Sequence, residues 1–148
     1  MTVEDFLGGL EPPDRALWAR GPWDDEPEDE QFLSSGNGVC RHVTGGHWCG
    51  IVIMPRRHAL TGAVRETCDA ALDVFGGVKF AGDAAGPYGR RWAVGFAFDG
   101  PLDIKPGETF EFRKARVPYP FGLSARYRPM GFALAEVERL ARQIAGWK

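Results

Sequence analysis

Short apolar runs broken by glycine dominate the chain from residue 31 onward and predict β-strands. They are rich in β-branched and aromatic residues and lie at residues 31–35, 38–44, 47–54, 72–75, 78–82, 91–98 and 109–117. Such runs, separated by turn residues, are typical of an antiparallel sheet. Before them, Pro12 and Pro13 precede DRALWAR. Because proline suits the first turn of a helix, this pattern predicts a short helix over about residues 13–20.

The end of the chain has a helical period and predicts an amphipathic helix from Pro129 onward. Its apolar stripe consists of Ala133, Val137, Leu140, Ala141 and Ile144, and its polar face carries Glu136, Glu138, Arg139 and Arg142. Such a helix needs an apolar surface to pack on. The sequence therefore predicts an α+β fold, in which the C-terminal amphipathic helix packs on an antiparallel β-sheet and a short N-terminal helix lies at its rim. A weaker helical pattern, interrupted by Gly62, occupies residues 58–72.

Composition fits one domain, but the charge is uneven along it. The 148 residues are 44% hydrophobic and 26% charged, as in soluble globular proteins. Residues 1–33 hold ten acidic and two basic residues, whereas residues 34–148 hold ten acidic and sixteen basic residues. We predict an acidic N-terminal appendage with the short helix over residues 1–33, and a single α+β domain over residues 34–148. The acidic segment at residues 24–30 is typical of a solvated loop, with a strap over a basic patch as the alternative.

The chain shows no targeting or membrane signal. Its first residues are acidic, and no apolar run approaches the ~20 residues needed to span a bilayer. A cytoplasmic location without a membrane partner is therefore expected. Three cysteines, an odd number, indicate reduced thiols and no disulfide framework.

The segment CRHVTGGHWC, residues 40–49, is the main candidate for chemistry. With Gly45 and Gly46 as a two-residue type I′ turn, Thr44 pairs with His47, and His42 pairs with Cys49. Side chains then alternate between the two faces of the hairpin. One face is predicted to carry Cys40, His42, Thr44, His47, Cys49 and Ile51, and the other Val39, Val43, Trp48 and Val52.

Two kinds of site are conceivable on this hairpin. A metal held by Cys40, His42, His47 and Cys49 is disfavoured, because four ligands from one flat ribbon crowd one side of a tetrahedral ion. Catalysis by His42, His47 and Cys49, with Cys49 as nucleophile and His42 as base, is disfavoured because the amides flanking a strand cysteine are committed to the sheet. The sequence predicts no cofactor and no metal here, and favours reduced thiols and hydrogen-bonded imidazoles.

Four segments, taken in order, resemble a group of short uncharacterised proteins from bacteriophages and scattered bacterial genomes. They are GHWCGIVIMPRRHALTG, DVFGGVKFAG, WAVGFAFDGPLDIKP and FALAEVERLARQIAGWK, and the order matches across residues 45–146. Members typically show Gly-His-x-Cys-Gly before a strand, then Pro-x-x-His, His-Gly-Gly, Gly-Phe-Asp-Cys-x-His and a closing helix. The resemblance implies a shared fold. It implies no particular activity, because none is established for the group.

The chain departs from that pattern at its polar positions. Phe75 replaces the histidine of His-Gly-Gly, and Ala97 and Gly100 replace the aspartate and histidine that follow Gly-Phe; His58 and Asp103 remain. Since phenylalanine and alanine carry no exchangeable proton, the resemblance implies that acid–base chemistry is largely lost here. Structural roles are the alternative for His58 and Asp103. Asp103 would then be a turn residue, and His58 would be hydrogen-bonded to the backbone.

Aromatic residues indicate a ligand site as a further hypothesis. Trp92 and Phe96 fall on one side of a predicted strand, and together with Phe75 they are predicted to form the floor of a pocket. Asp103 and His58 are its predicted polar residues. A role in the core is the alternative.

Arginines near aromatic residues raise nucleic-acid binding as another hypothesis. They are Arg56, Arg57, Arg90, Arg91, the RKAR segment at residues 113–116, Arg126 and Arg128. The net charge of −2 opposes it, because nucleic-acid-binding domains are strongly basic.

Taken together, these patterns favour a small cytoplasmic protein of phage or mobile-element type. It is predicted to act by binding a partner protein or a small ligand and not by catalysis, with a homodimer left open. The alternative is a hydrolase-like or metal-dependent enzyme that uses the Cys/His hairpin. Weak nucleic-acid binding is the second alternative.

Overall fold

The computed structural model describes residues 2–9, 11, 13–18, 20–26, 30–32, 36–86, 89–108 and 126–147. These residues form a five-stranded antiparallel sheet with the order β1-β2-β3-β5-β4. The strands are β1 (Glu30–Phe32), β2 (Gly38–Arg41), β3 (Trp48–Ile53), β4 (Phe80–Gly86) and β5 (Gly89–Ala97). Helices pack on both faces, so the predicted α+β class with a C-terminal and a short N-terminal helix is confirmed.

The C-terminal helix, Met130–Ala145, covers one face of the sheet as predicted. This helix is α3 here, because α1 (Val3–Leu7) and α2 (Arg65–Ala71) precede it. Its buried stripe is Ala133, Val137, Leu140 and Ile144, which packs with Val39, Trp48, Val52 and Phe96 of the sheet. Gly50 permits this close approach, because a Cβ at that position would clash with the Phe96 ring and the Val137 side chain.

Glu136 departs from the predicted polar face of α3. It is buried, and its carboxylate accepts hydrogen bonds from the Phe75 backbone N–H at 3.1 Å and from Arg139 at 2.8 Å. The prediction that Glu136 faces solvent was wrong because its partner at Phe75 lies 61 residues away, beyond the reach of a helical pattern.

The N-terminal helix α1 covers the opposite face. The Thr2 hydroxyl accepts the Asp5 N–H, the Asp5 carboxylate accepts the Thr2 N–H, and the helix ends at Gly8 with a positive φ of 77°. Phe6 stacks on Phe80 at 5.3 Å between ring centroids. The predicted helix over residues 13–20 was wrong in position: a single 3₁₀ turn at Arg15–Leu17 lies there, followed by another at Pro22–Asp25.

Residues of the predicted N-terminal appendage take part in the body of the fold. Phe6, Leu7 and Trp23 are buried, and β1 pairs with β2. The acidic segment at residues 24–30 is divided, with residues 24–26 and 30 described and residues 27–29 outside the described part.

Two further predictions in the middle of the chain had different outcomes. Helix α2 confirms a short helix within residues 58–72. The strand predicted at residues 72–75 was wrong: Gly76 and Gly77 adopt positive φ angles, and the segment forms a turn. The strand predicted at residues 109–117 and the RKAR segment lie outside the described residues.

Helix lengths and hydropathy also bear on membranes. Within the described ranges, none of the helices combines the length and the apolar character needed to cross a bilayer.

Candidate functional site

The hairpin of β2 and β3 has a different register from the one predicted. Cys40 pairs with Cys49, and Arg41 pairs with Trp48. The His42 N–H donates to the His47 carbonyl at 2.8 Å and closes a four-residue loop over residues 43–46. The predicted two-residue turn was wrong because type I′ needs positive φ at both central positions, whereas of the two glycines only Gly46 has one.

The predicted division of the hairpin between two faces survives this change of register. Cys49 and Ile51 pack with α1, with Cys40 against the same cluster, whereas Val39, Trp48 and Val52 pack with α3. Because side chains alternate with a period of two, a slip of two residues leaves the side chains of the two strands on their predicted faces. Val43, in the loop, lies instead against Gly9 of the N-terminal segment. The partner of His42 across the hairpin is His47 and not Cys49.

The two imidazoles of the hairpin are stacked. Their ring centroids lie 4.8 Å apart and their planes differ by 14°. Nδ1 of His42 accepts the backbone N–H groups of Thr44 at 3.3 Å and Gly45 at 3.2 Å. Since a backbone N–H only donates, Nδ1 is the acceptor in both hydrogen bonds, and the ring N–H of His42 is on Nε2.

His47 is buried, and one of its two ring nitrogens lacks a hydrogen-bond partner among the described residues. Its side chain is 5% exposed, and within the described part of the chain its Nδ1 has no hydrogen-bond partner. Gly45 lies against this nitrogen, and a Cβ at Gly45 would clash with it. Burial, reinforced by His42 and Lys105, lowers the pKa of His47 from 6.5 to about 3. The ring is therefore neutral at physiological pH.

A cleft of about 330 Å³ opens beside the two histidines. It lies between α1, the hairpin loop and the segment that follows β5, and its walls include Phe6 and Ala97. Its polar residues are Asp5, His42, Thr44, His47, Lys79, Asp99 and Lys105. The hairpin loop is fixed to the segment after β5, because the Gly107 N–H donates to the Gly45 carbonyl at 2.8 Å.

The two carboxylates of the cleft have partners within the chain. Hydrogen bonds from the backbone and side chain of Thr2 lower the pKa of Asp5, which keeps this carboxylate ionised in the α1 cap. Asp99 lies 3.9 Å from Lys79, and both side chains are about two-fifths exposed. Asp99 is therefore paired with a lysine, whereas Asp5 is an ionised helix-cap carboxylate.

Cys49 lies under the cleft and is unsuited to be a nucleophile. It is fully buried, and burial, followed by Cys40 and Asp99, raises the pKa of its thiol well above 9.0. A buried, protonated thiol reacts poorly, because the thiolate is the nucleophilic form. Among the described residues, no group of three or more His, Cys, Asp or Glu side chains is arranged to hold a metal ion.

The aromatic ligand-site candidates lie on the other face of the sheet. Phe96 is completely buried in the cluster beneath α3, with Trp92 and Phe75 packed against that cluster. The indole N–H of Trp92 donates to the Ala63 carbonyl at 3.2 Å, and the Phe75 ring meets Phe98 edge to face at 5.8 Å. The structure brings these three residues together as core side chains, away from the histidine cleft.

His58 and Asp103 have local structural contacts. Nε2 of His58 lies 2.9 Å from the Ile144 carbonyl at the end of α3, and Nδ1 accepts the Leu60 N–H at 3.0 Å. Asp103 accepts the Gly100 N–H at 3.0 Å and the Arg128 guanidinium at 3.0 Å. Both contacts correspond to the structural alternatives derived from the sequence.

A buried polar network on the α3 face is a feature that the sequence interpretation missed. Arg41 lies between the rings of Trp18 and Trp48, donates to the Gly46 carbonyl at 2.7 Å and pairs with Glu26 at 2.8 Å. Glu26 also accepts hydrogen bonds from the Tyr127 hydroxyl and, at 2.5 Å, from the Met130 N–H at the start of α3. The available signal was Arg41 itself, a charged residue that alternation places on the apolar face.

Two of the arginines considered for nucleic-acid binding make contacts within the protein. Arg128 pairs with Asp103 and lies over the Phe75 ring at 4.8 Å, and Arg91 donates to the Met54 carbonyl at 2.8 Å. These contacts give the two side chains structural roles.

Comparison with known proteins adds no relative. No protein-family model, no curated protein and no solved structure matches the chain. The resemblance to the phage and bacterial group therefore stays a prediction, and function has to be argued from the cleft itself.

Proposed function

We propose that the protein acts by binding a small polar ligand in the cleft between α1, the hairpin loop and the segment after β5. The observation that carries this proposal is the buried imidazole of His47 in the wall of the cleft. An unpartnered buried polar atom costs about 1–3 kcal/mol of stability, and such groups are rare in folded proteins. Natural proteins depart from full hydrogen bonding mainly at functional sites.

The size of the cleft supports a small molecule over a macromolecule. Ligand sites typically enclose about 300–1,000 Å³, and this cleft of about 330 Å³ is at the lower end of that range. Its lining also fits the usual composition, with an apolar wall from Phe6 and Ala97 and a few polar groups that orient the ligand. The proposed ligand is therefore of metabolite size.

Binding is favoured over catalysis on the same residues. An enzyme using Cys49 needs a thiolate accessible to substrate, whereas this thiol is buried and its pKa is raised. His47 is a weak base, because its pKa is lowered to about 3. The hydrolase-like alternative has no favourable geometry among the described residues.

The three histidines provide a direct test. A mixed set of small polar molecules, charged and neutral, is added while the imidazole resonances of His42, His47 and His58 are followed by NMR. A compound that binds in the cleft shifts the resonances of His42 and His47 and leaves His58, at the end of α3, unchanged. The variant His47→Met is expected to abolish the shift at His42. If no compound of the set moves the two cleft imidazoles, or if His58 moves equally, the proposal fails.

A further inference from the structure

The register of the hairpin brings two thiols directly opposite each other. Cys40 and Cys49 are partners across β2 and β3, and both lie on the α1 face of the sheet, where Cys49 belongs to the buried cluster and Cys40 packs against it. All three cysteines of the chain are thiols in this structure. Cys68 lies in α2 and belongs to the cluster on the opposite face. Two of the three thiols are therefore neighbours, and the sheet separates the third from them.

The backbone spacing of this pair is compatible with a disulfide. Pairs in an antiparallel ladder alternate between hydrogen-bonded and non-hydrogen-bonded types. Because the His42 N–H donates to the His47 carbonyl, the Cys40–Cys49 pair two residues away is also of the hydrogen-bonded type, with Cα atoms about 5.5 Å apart. Disulfides usually join Cα atoms about 4.4–6.8 Å apart. The Cβ atoms of such a pair lie at about 5.5 Å, compared with about 3.5–4.5 Å across a disulfide, so closure strains the ladder and gives a readily reduced bond.

We infer that Cys40 and Cys49 form a reversible cross-strand disulfide when the protein reacts with a peroxide. Cys40 is partly exposed, whereas Cys49 is completely buried, so Cys40 reacts first. Its sulfur takes one oxygen atom from hydrogen peroxide and becomes a sulfenic acid, and the peroxide is reduced to water. The Cys49 sulfur then attacks the Cys40 sulfur. The S–S bond forms as the S–O bond breaks, and the hydroxyl group leaves with the Cys49 proton as a second water.

The burial of Cys49 slows the second step and does not prevent it. This thiol is unsuited to attack a molecule in the cleft, but the Cys40 sulfur is its neighbour in the sheet, and groups held together react at a high effective concentration. Burial, followed by the interaction with Cys40, raises the pKa of Cys49, and the thiolate is the attacking form. Closure is therefore slow at pH 7 and accelerates as the pH rises. The inference does not depend on the proposed ligand, so each stands or falls by its own test.

Oxidation of the folded, reduced protein tests the inference. The protein is treated with hydrogen peroxide, the remaining thiols are alkylated under denaturing conditions, and the products are identified by mass spectrometry. The monomer is expected to lose two of its three thiols and about 2 Da, with Cys40 linked to Cys49. A glutathione buffer is expected to restore both thiols. Closure at pH 9 is expected to be at least about tenfold faster than at pH 7.

Two variants separate this pair from general oxidation. Cys68→Ala removes the distant thiol and is expected to form the disulfide at a rate within about twofold of the natural chain. Cys40→Ala removes the partly exposed thiol, and Cys49 is then expected to survive the same treatment as a thiol. A disulfide between two molecules, a link that includes Cys68, or sulfinic acid at Cys40 without closure overturns the inference. So does retention of all three thiols, oxidation of Cys49 in Cys40→Ala, or a disulfide that glutathione does not reduce.

Discussion

Arg41 and the histidines after it lie on one hairpin but illustrate two opposite ways of burying polar groups. Arg41, on the α3 face, is completely buried, and its charge is matched by Glu26 and bounded by two indole rings. His47, on the α1 face, is almost as buried, yet its Nδ1 has no partner within the described residues. The comparison teaches that burial alone does not identify a site. What distinguishes the two regions is that Arg41 has an ion pair with Glu26 and a hydrogen bond to the Gly46 carbonyl within the chain.

The Arg41 network connects parts of the chain that are distant in sequence. Glu26 joins the N-terminal segment to β2 through Arg41 and to α3 through the Met130 N–H. Tyr127 accepts a hydrogen bond from Arg41 at 3.1 Å and donates to Glu26. Because these contacts join three separate segments of the chain, we interpret this network as structural.

The largest effect is expected on removal of the Glu26 carboxylate. Glu26→Ala leaves the Arg41 charge buried and the start of α3 without its acceptor, and is expected to lower the free energy of unfolding by about 3–5 kcal/mol. Asp25→Ala, at the exposed neighbouring residue, is the control and should change it by less than about 0.5 kcal/mol. The free energies are measured by urea denaturation at pH 7. Similar values for the two variants would contradict a structural role for the network.

The second effect is a pH dependence that arises from His47. The native ring stays neutral to about pH 3, whereas the unfolded ring takes up a proton below its ordinary pKa of 6.5. The unfolded state therefore binds more protons in this window, so stability is complete above pH 6.5 and is lost as the pH falls toward 3. Between pH 7 and pH 5 the loss from this group is about 2 kcal/mol.

His47→Gln isolates that contribution. Carboxylates that titrate in the same range affect both proteins, so the quantity compared is the difference between the two pH profiles of unfolding free energy. We expect the variant to lose less stability than the natural sequence between pH 7 and pH 5. Parallel profiles would show that the native imidazole titrates normally.

A smaller effect is expected when the network loses one hydroxyl. Tyr127→Phe keeps the edge-on ring contact with Trp23, at 5.1 Å between centroids, and removes the hydrogen bonds to Arg41 and Glu26. A loss of about 1.5 kcal/mol is expected, because a hydrogen bond to a charged group is worth more than one between neutral groups. Thermal unfolding checks it, and an unchanged midpoint would remove Tyr127 from the network.

The elements that depend on local periodicity were predictable from the sequence. The stripe through Ala133, Val137, Leu140 and Ile144 located α3, and alternation placed Cys49 and Trp48 on opposite faces. The hairpin register was not predictable from Gly45 and Gly46, because only the φ angles decide between a two-residue and a four-residue loop. A Gly-Gly pair is compatible with either loop length.

The candidate site was predicted only in part. His42 and His47 were predicted to share one face of the hairpin, but their cleft also depends on residues from other parts of the chain: Phe6, Lys79, Asp99 and Lys105. Phe75, Trp92 and Phe96 looked equally suitable as a site, because an aromatic residue in a core and one in a pocket have the same sequence pattern. Long-range packing separates these cases, and no local pattern contains that information.

The most direct measurement compares His47→Met with Arg41→Met at pH 7. Methionine is similar in size to either side chain and carries no charge. Each variant therefore reports whether the polar group that it replaces contributes to stability. The unfolding free energy is expected to fall by about 3 kcal/mol or more for Arg41→Met, which removes the cation that pairs with Glu26. For His47→Met it should stay within about 0.5 kcal/mol or rise, because an unpartnered buried nitrogen is removed. An equal loss in the two variants would contradict the distinction between a structural face and a binding face.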